Sequence, residues 1–202
     1  LIGSGSRSDS WGYDPLVPMA FQQNIITSAY GTGHSRGHQI PSADRYQYGA
    51  NIQTFYGTNM TPQDYNFNAG VWANLEQKVR DWSYSSDTLY VVTGCDIEGS
   101  KKTTVDYAGK TVVVPVGYWK AVLRYSSAGT TGFSGFMGCA FYLSHDYSPS
   151  NAKITKNMAI SIDDLEKKLG IDLFVNLPDK VGKETADKIE AQDPQGVPFW
   201  WK

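Results

Sequence analysis

The stretch NFNAGVWANLEQKVRDW, residues 66–82, restricts the fold more than any other part of the sequence. Its apolar side chains recur at intervals of three or four residues, which is the period of one face of an α-helix. The members of this apolar face are Phe67, Val71, Leu75, Val79 and Trp82. Because such a face must be buried against another layer, the stretch predicts one helix over 66–82 that packs on the core.

Three further stretches have the β-branched and aromatic residues that are typical of strands. They are TLYVVTGCDI (88–97), KTVVVPVGYWKAVLRYS (110–126) and GFMGCAFYLSH (135–145). The turn-rich segment 98–111 predicts an exposed hairpin between the first two. A second helix is indicated over 161–174, where Ser161 and Asp164 form a capping box and Gly170 ends the helix. The sequence therefore predicts an α+β fold, with an antiparallel β-sheet core and flanking helices.

The length and composition favour a single domain. The chain has 202 residues, of which 41% are hydrophobic and 19% are charged, and these fractions are ordinary for a globular protein. Residues 1–12 are rich in Gly and Ser and predict a flexible N-terminal tail, so we assign the domain to residues 13–202. No apolar run approaches the ~20 residues that cross a bilayer. The net charge of −2 provides no global basic field, so a polyanion would have to bind at a local site.

The two cysteines leave two interpretations open. Cys95 and Cys139 each lie in a strand-like stretch. They are either buried free thiols or the two halves of a disulfide between neighbouring strands. Two cysteines alone cannot build a structural zinc site.

A second row of side chains lies beside the apolar face of the first predicted helix. Each member of this row comes one position after a member of the apolar face. Its members are Asn68, Trp72, Glu76 and Arg80. An ordinary solvated face explains Glu76 and Arg80, since such a pair at i and i+4 stabilises a helix by ~0.3–0.5 kcal/mol. Upstream, however, the stretch GHSRGHQIPSADR (33–45) concentrates histidine, arginine and aspartate among few apolar residues, which a simple turn does not require.

Four stretches, taken in order, resemble the DNA/RNA non-specific endonuclease family, also called ββα-metal or His-Me finger nucleases. They are SRGH (35–38), TNMTPQ (58–63), NAGVWANLE (68–76) and Arg80. The family pattern is Asp-Arg-Gly-His, then Asn-hydrophobic-Thr-Pro-Gln, then Asn-x-Gly-x-Trp-x-x-Leu-Glu with an Arg one turn later. The resemblance extends over about residues 15–177 and implies a ββα-metal active-site motif within one nuclease domain.

The resemblance implies a role for each residue that matches. His38 would be the general base, because a histidine with a pKa of about 6.5 is largely neutral at physiological pH. Arg36 would neutralise the phosphate that is cleaved. Asn68 would be the direct protein ligand of Mg²⁺, for which Mn²⁺ could substitute, and Glu76 would bind the same ion through water and so take part in the chemistry.

The implied function is a metal-dependent, sequence-nonspecific endonuclease. It would hydrolyse phosphodiester bonds of DNA and RNA and leave 5′-phosphate ends, with Arg80 as a further substrate contact. Asn59 would either touch the substrate or order the site. The family also implies a secreted or periplasmic protein, although no signal peptide is visible in this chain. The sequence does not indicate the oligomeric state or a preference between DNA and RNA.

Two positions depart from the family pattern. Ser35 stands where the family has Asp, and the only arginine before Arg36 is Arg7 in the predicted tail, so the family's upstream arginine is not assigned. His34 and His145 are interpreted as packing or surface residues. Two alternatives stay open: a catalytically decayed nuclease scaffold that binds polyanions or glycans, and the same hydrolytic site acting on another phosphodiester.

Overall fold

A computed structural model of the chain describes residues 3–31, 33–47, 49–128, 135–149 and 151–202. Within these residues the chain forms eight strands and six α-helices. The strands are β1 (His34–His38), β2 (Met60–Asp64), β3 (Thr88–Asp96), β4 (Thr103–Val105), β5 (Thr111–Val113), β6 (Gly117–Tyr125), β7 (Phe136–Ser144) and β8 (Ala159–Ile160). The helices are α1 (Ala50–Gln53), α2 (Tyr65–Phe67), α3 (Ala73–Ser83), α4 (Ile162–Leu169), α5 (Leu177–Val181) and α6 (Lys183–Glu190).

The chain divides into two compact units. The first unit consists of Leu1–Ala73, Ile97–Gly117 and His145–Asn151. The second unit consists of Asn74–Asp96, Tyr118–Ser144 and Ala152–Lys202. The first contains the two-stranded sheets β1-β2 and β4-β5, and the second contains the four-stranded sheet of order β3-β6-β7-β8. The predicted α+β class with antiparallel sheets is confirmed, whereas a single nuclease domain over residues 13–202 stays a prediction.

The predicted strands and the second helix are confirmed in position. The stretches over 88–97 and 135–145 form β3 and β7, and the middle stretch is divided into β5 and β6 on either side of Pro115. Proline has no N–H with which to continue a strand ladder, which accounts for the division. The hairpin predicted over 98–111 is formed by β4 and β5. At the start of α4, the Asp164 N–H donates to the Ser161 hydroxyl at 3.1 Å, as the capping box predicts.

The core of the second unit lies between the four-stranded sheet and helices α4–α6. Its buried members include Trp119, Ala121 and Leu123 of β6, Ile162 and Leu165 of α4, and Ile189 of α6. Each of these elements presents one apolar face, so the sheet and the helices bury each other's faces. Trp200, near the C-terminus, packs against Trp82 with the two rings 4.7 Å apart, which fixes the end of the chain on the same unit.

The first predicted helix is interrupted. All five members of its apolar face are buried, so the predicted face is confirmed. The prediction of one uniform helix over 66–82 is wrong, because a π-helical turn, Asn68–Trp72, separates α2 from α3 and Gly70 has the non-helical angles φ −104° and ψ −109°. Straight-helix geometry therefore does not describe the spacing between Asn68 and Glu76.

The N-terminal segment is held against the first unit by backbone contacts. Gly3 forms a β-bridge with Tyr46, and Gly12 forms one with Tyr56. The Ser8 N–H donates to the side chain of Asn51 at 2.9 Å. Residues 3–12 therefore differ from the predicted flexible tail, because their backbone groups find distant partners that composition does not reveal; residues 1 and 2 of that tail lie outside the described residues.

Both cysteines are free thiols. Burial raises the pKa of Cys95 and of Cys139 above the ordinary thiol value, which keeps both protonated. The structure therefore agrees with free thiols and not with a disulfide between Cys95 and Cys139. None of the helices within the described ranges is long and apolar enough to cross a membrane.

Candidate active site

Strand β1 carries Arg36 and His38 on one face of the β1–β2 hairpin, because side chains two residues apart in a strand point the same way. The strands pair antiparallel, with His38 opposite Met60 and Ser35 opposite Gln63. Gly37 lies between the two functional side chains and points to the other face. A Cβ atom at Gly37 would come within 2.4 Å of the Gln63 side chain, so the packing of Gln63 requires glycine there.

The imidazole ring of His38 is enclosed by two aromatic rings. The ring centroids of Trp11 and Phe55 lie 5.7 Å and 5.2 Å from it, both in edge-on arrangements. The Nε2 atom is buried and has no hydrogen-bond partner among the described residues. No described protein group therefore occupies the Nε2 atom of His38.

Burial lowers the pKa of His38 to about 4. The positive charges of Arg7 and Arg36 contribute to this lowering of the pKa, while a backbone hydrogen bond with Arg36 and the charge of Asp9 act in the opposite direction. The imidazole is thus neutral at physiological pH, and a neutral imidazole can accept a proton.

The guanidinium of Arg36 stacks on the indole of Trp11, with 3.9 Å between its Cζ atom and the ring centroid. Its Nη1 atom is buried and has no hydrogen-bond partner within the described part of the chain. Burial lowers the pKa of Arg36, but arginine stays a cation at any physiological pH. A buried, unpaired cationic donor of this kind is suited to binding a phosphate oxygen.

The side-chain amide of Asn59 is fully used by the backbone around the hairpin. Its Oδ1 atom accepts the Ile40 N–H at 2.9 Å. Its Nδ2 atom donates to the carbonyls of Ile40 and Thr54, both at 2.9 Å. These bonds fix the chain that leaves β1 against the end of α1. They supply an ordering role for Asn59, and the substrate contact expected from the family stays a prediction.

Asn68 lies in the π-helical turn with a half-buried side chain. No described residue hydrogen-bonds its amide, so the amide oxygen is free to bind an ion. Across the described residues, no group of three or more His, Cys, Asp and Glu could hold a metal. A single neutral oxygen donor fits Mg²⁺, which keeps most of its water and needs only one or two protein oxygens. The donor set therefore fits the ion that the family implies.

Glu76 and Arg80 lie on α3 and belong to the second unit. Both side chains are half-buried, and the Arg80 guanidinium donates to Gln77 Oε1 through Nε at 3.3 Å and through Nη2 at 3.1 Å. Their roles at an ion and at a substrate stay predictions. His145, in contrast, has both ring nitrogens engaged, one with the Pro115 carbonyl and one accepting the Asp64 N–H, each at 2.8 Å. These bonds agree with a packing role for His145.

The sequence interpretation missed the residues that surround His38. Arg7 forms an ion pair with Asp9 at 2.8 Å and lies 4.8 Å from the ring centroid of Phe55, and Trp11 contacts Arg36. A signal was present: Arg7, Asp9 and Trp11 alternate with serine, and alternation is typical of an extended segment with one face against the protein. The Gly and Ser content of the segment obscured it.

The paired strands β1 and β2 with His38 and Arg36, followed by a helical turn with Asn68, agree with the ββα-metal motif that the sequence resemblance implies. A family description of DNA/RNA non-specific endonucleases matches residues 2–180. The chain therefore belongs to the DNA/RNA non-specific endonuclease family. The predicted resemblance is confirmed, and the family is one of metal-dependent nucleases.

Two relatives and one solved structure show how far the similarity extends. The chain is 28% identical over 193 residues to a nuclease of Nostoc sp. (strain PCC 7120 / SAG 25.82 / UTEX 2576), and the match covers 94% of this chain and 68% of that protein. It is 30% identical over 176 residues to the human mitochondrial nuclease EXOG, a match that covers 81% of this chain and 46% of EXOG. The chain thus spans about half the length of the human relative.

The fold is similar to that of a chain in the crystal structure of the EndoG/EndoGI complex. The TM-score is 0.66 at 20% identity, and the match covers 89% of this chain and 76% of that chain. At this identity the likeness shows the fold, which is the ββα-metal nuclease fold.

The expected secreted or periplasmic location is wrong as a family-wide inference. Relatives from Saccharomyces cerevisiae, human and Schizosaccharomyces pombe are named as mitochondrial nucleases. The error has a physical origin, because the features shared by these proteins are those of the catalytic fold and carry no targeting information.

Proposed function

We propose that this protein is a metal-dependent, sequence-nonspecific endonuclease that hydrolyses phosphodiester bonds of DNA and RNA and leaves 5′-phosphate ends. The observation that carries the proposal is the pairing, on β1, of a neutral His38 whose Nε2 is free with an Arg36 whose Nη1 is unpaired. Family membership supports the same activity.

His38 accepts a proton at Nε2 from the water that attacks the phosphorus atom. Arg36 binds a non-bridging oxygen of the same phosphate and offsets the charge that grows on it. Arg7 adds a second positive charge near His38, which lowers the pKa of the base and attracts the anionic substrate. Both arginines therefore favour the substrate, and at the same time they keep the base neutral.

Asn68 would hold Mg²⁺, or Mn²⁺ in its place, through its amide oxygen, and Glu76 would hold the ion through bound water. When bound, the ion supplies Lewis-acid stabilisation of the leaving 3′ oxygen. Arg80 is proposed as a phosphate contact further along the substrate. Asn59 keeps the chain after β1 in place, and substrate contact would be secondary to that role.

The decisive test compares wild type with His38→Ala on supercoiled plasmid and on total RNA, in Mg²⁺ and in EDTA. We expect metal-dependent smearing of both substrates by wild type and a loss of at least about a hundredfold in the variant, because the base is removed. His34→Ala is the matched control, since it removes another histidine from the same strand, and it should retain activity.

Product ends test the finer part of the proposal. Fragments with 5′-phosphate ends accept a 5′ label only after phosphatase treatment. Fragments that accept the label directly would contradict the proposed cleavage position. Wild-type protein that is folded but leaves both substrates intact in Mg²⁺ and Mn²⁺ would overturn the nuclease proposal in favour of a polyanion-binding scaffold.

A further inference from the structure

Trp11 contacts Arg36, which is proposed to bind the phosphate, and His38, which is proposed to accept the proton. Its indole covers the face of the Arg36 guanidinium at 3.9 Å and lies 5.7 Å from the His38 ring. Phe55 closes the arrangement, with its ring 4.8 Å from that of Trp11 and 5.2 Å from that of His38. Four side chains from three separate stretches of the chain thus form one cluster in the first unit.

We propose that Trp11 is a positioning residue for phosphodiester cleavage, which holds the Arg36 guanidinium edge-on to the substrate and keeps water from the flank of His38. This inference rests on the proposed nuclease function. It goes beyond that function because it assigns a role to a residue that neither transfers a proton nor binds an ion.

The stacking on Arg36 restricts the direction in which its donors point. A planar guanidinium whose central carbon lies over an indole ring is blocked on that side, which limits the directions in which its N–H groups can point. One face is then covered by Trp11 while the buried Nη1 has no partner within the described residues. The side chain loses conformational freedom before the substrate arrives, so less is lost when a phosphate binds.

The contact between Trp11 and His38 affects the pKa of His38 by excluding water and not by adding a charge. The charged groups that face His38 are Arg7, Asp9 and Arg36, and Tyr30 faces Arg36 in turn. The two rings that enclose the imidazole, Trp11 and Phe55, carry no charge. Removal of Trp11 would admit water to one flank of the imidazole, and hydration stabilises the protonated form.

Trp11 also packs against Ile25, Tyr30 and Met60, which form a small buried cluster. A purely structural role would follow if this packing were its only contribution. The two roles differ in their consequences: lost packing lowers stability alone, whereas lost positioning changes the pH profile of the reaction and the response to conservative replacements.

The test uses Trp11→Ala, Trp11→Leu and Trp11→Phe, with kcat/KM measured on a short duplex from pH 3 to pH 8, a range that includes the wild-type acidic limb near pH 4. We expect Trp11→Ala to lose about tenfold in kcat/KM at pH 7 and to move the acidic limb upward by about one pH unit. Trp11→Phe should recover most of both effects. Trp11→Leu should keep the limb near its wild-type position but still lose kcat/KM, because it excludes water and cannot stack on Arg36.

Trp201→Ala is the matched control. It removes an indole from the second unit, where Trp201 donates to the Pro194 carbonyl at 2.8 Å, so it should leave the pH profile unchanged. If Trp11→Ala does not fold, as judged by circular dichroism, the comparison of Leu with Phe decides. Equal kcat/KM and identical limbs for Leu, Phe and wild type would overturn the positioning role.

A measurement without turnover separates this inference from the nuclease proposal. The chain has three histidines, so the His38 ring signal can be assigned in an NMR titration by its loss in His38→Gln. A rise in the His38 pKa in Trp11→Ala supports the shielding role even if the wild-type protein cleaves nothing. An unchanged pKa contradicts that role even if the nuclease activity is established.

Discussion

The protonation state of His38 depends on side chains that are far from it in the sequence. Trp11 and Phe55 exclude water from its ring, and Arg7 and Arg36 add positive charge, so the pKa falls to about 4. A histidine in an open loop would be partly protonated near pH 6. The same surroundings leave Nε2 without a partner in the described chain. At the scale of single residues, the candidate site therefore combines a histidine kept neutral with an arginine whose Nη1 has no partner among the described residues.

Asn68 provides a prediction at this scale. Asn68→Ala removes the amide oxygen proposed as the only direct protein ligand of the ion, so the Mg²⁺ concentration for half-maximal cleavage should rise at least about tenfold. Asn66→Ala removes an exposed amide from the preceding helix α2 and serves as the matched control. Identical Mg²⁺ titrations for Asn68→Ala and wild type would contradict the ligand assignment.

The β1–β2 hairpin is the element that holds Arg36 and His38 in register. Its two strands pair over five residues, and the chain that follows β1 is tied down by the three hydrogen bonds of Asn59. On the face opposite His38, the fully buried Gln63 packs against the backbone of Gly37. The glycine in the SRGH stretch thus serves the packing of the hairpin, and the hairpin in turn orients the two functional side chains.

Gly37→Ala tests this packing. The added Cβ would lie 2.4 Å from Gln63, which is enclosed and cannot move freely, so we expect a loss of about 1–3 kcal/mol in the free energy of unfolding by urea. Gly196→Ala is the control, since nothing lies within 4 Å of that Cβ. The double variant Gly37→Ala/Gln63→Ala should lose less than the sum of its single changes. Additive losses would indicate that the two residues do not compete for space.

At the scale of the whole molecule, the two units differ in their polar interiors. The first unit buries the functional groups of β1 beneath aromatic rings. The second unit brings several carboxylates together around Glu190 of α6, and burial together with the charges of Glu166, Asp163 and Asp172 raises its pKa to about 7. The folded state disfavours the ionised form of Glu190. The free energy of unfolding should therefore depend on pH through a group that takes no part in the proposed chemistry.

The direction of that dependence follows from the raised pKa. The protonated Glu190 of the folded state contributes stability below the ordinary carboxyl pKa of about 4.5, and this contribution is lost as the pH rises through about 7. The melting temperature of wild type should therefore fall between pH 5 and pH 8, and Glu190→Gln should reduce the fall. Glu184→Gln, on the same helix and paired with Lys188, is the control. Equal pH dependence of Glu190→Gln and wild type would contradict the prediction.

Local sequence patterns are enough to predict most of the secondary-structure elements and to recognise the family motifs. The buried face of the 66–82 stretch, the strands and the cap at Ser161 follow from local periodicity and composition, because burial of one face acts on residues that are close in the chain. The order of SRGH, TNMTPQ and NAGVWANLE was enough to recognise the family. The sequence patterns do not place the N-terminal segment, because Ser8 forms its hydrogen bond with Asn51, which lies 43 positions further along the chain.

The surroundings of these residues depend on contacts between distant parts of the chain. The enclosure of His38 by Trp11 and Phe55 and the use of the Asn59 amide by the backbone arise from contacts that have no local sequence pattern. Such contacts form because buried polar groups must find partners and apolar rings must exclude water, wherever along the chain these groups occur. The residue types proposed as base and ligand are therefore local properties of the sequence, whereas the pKa of His38 is a property of the fold.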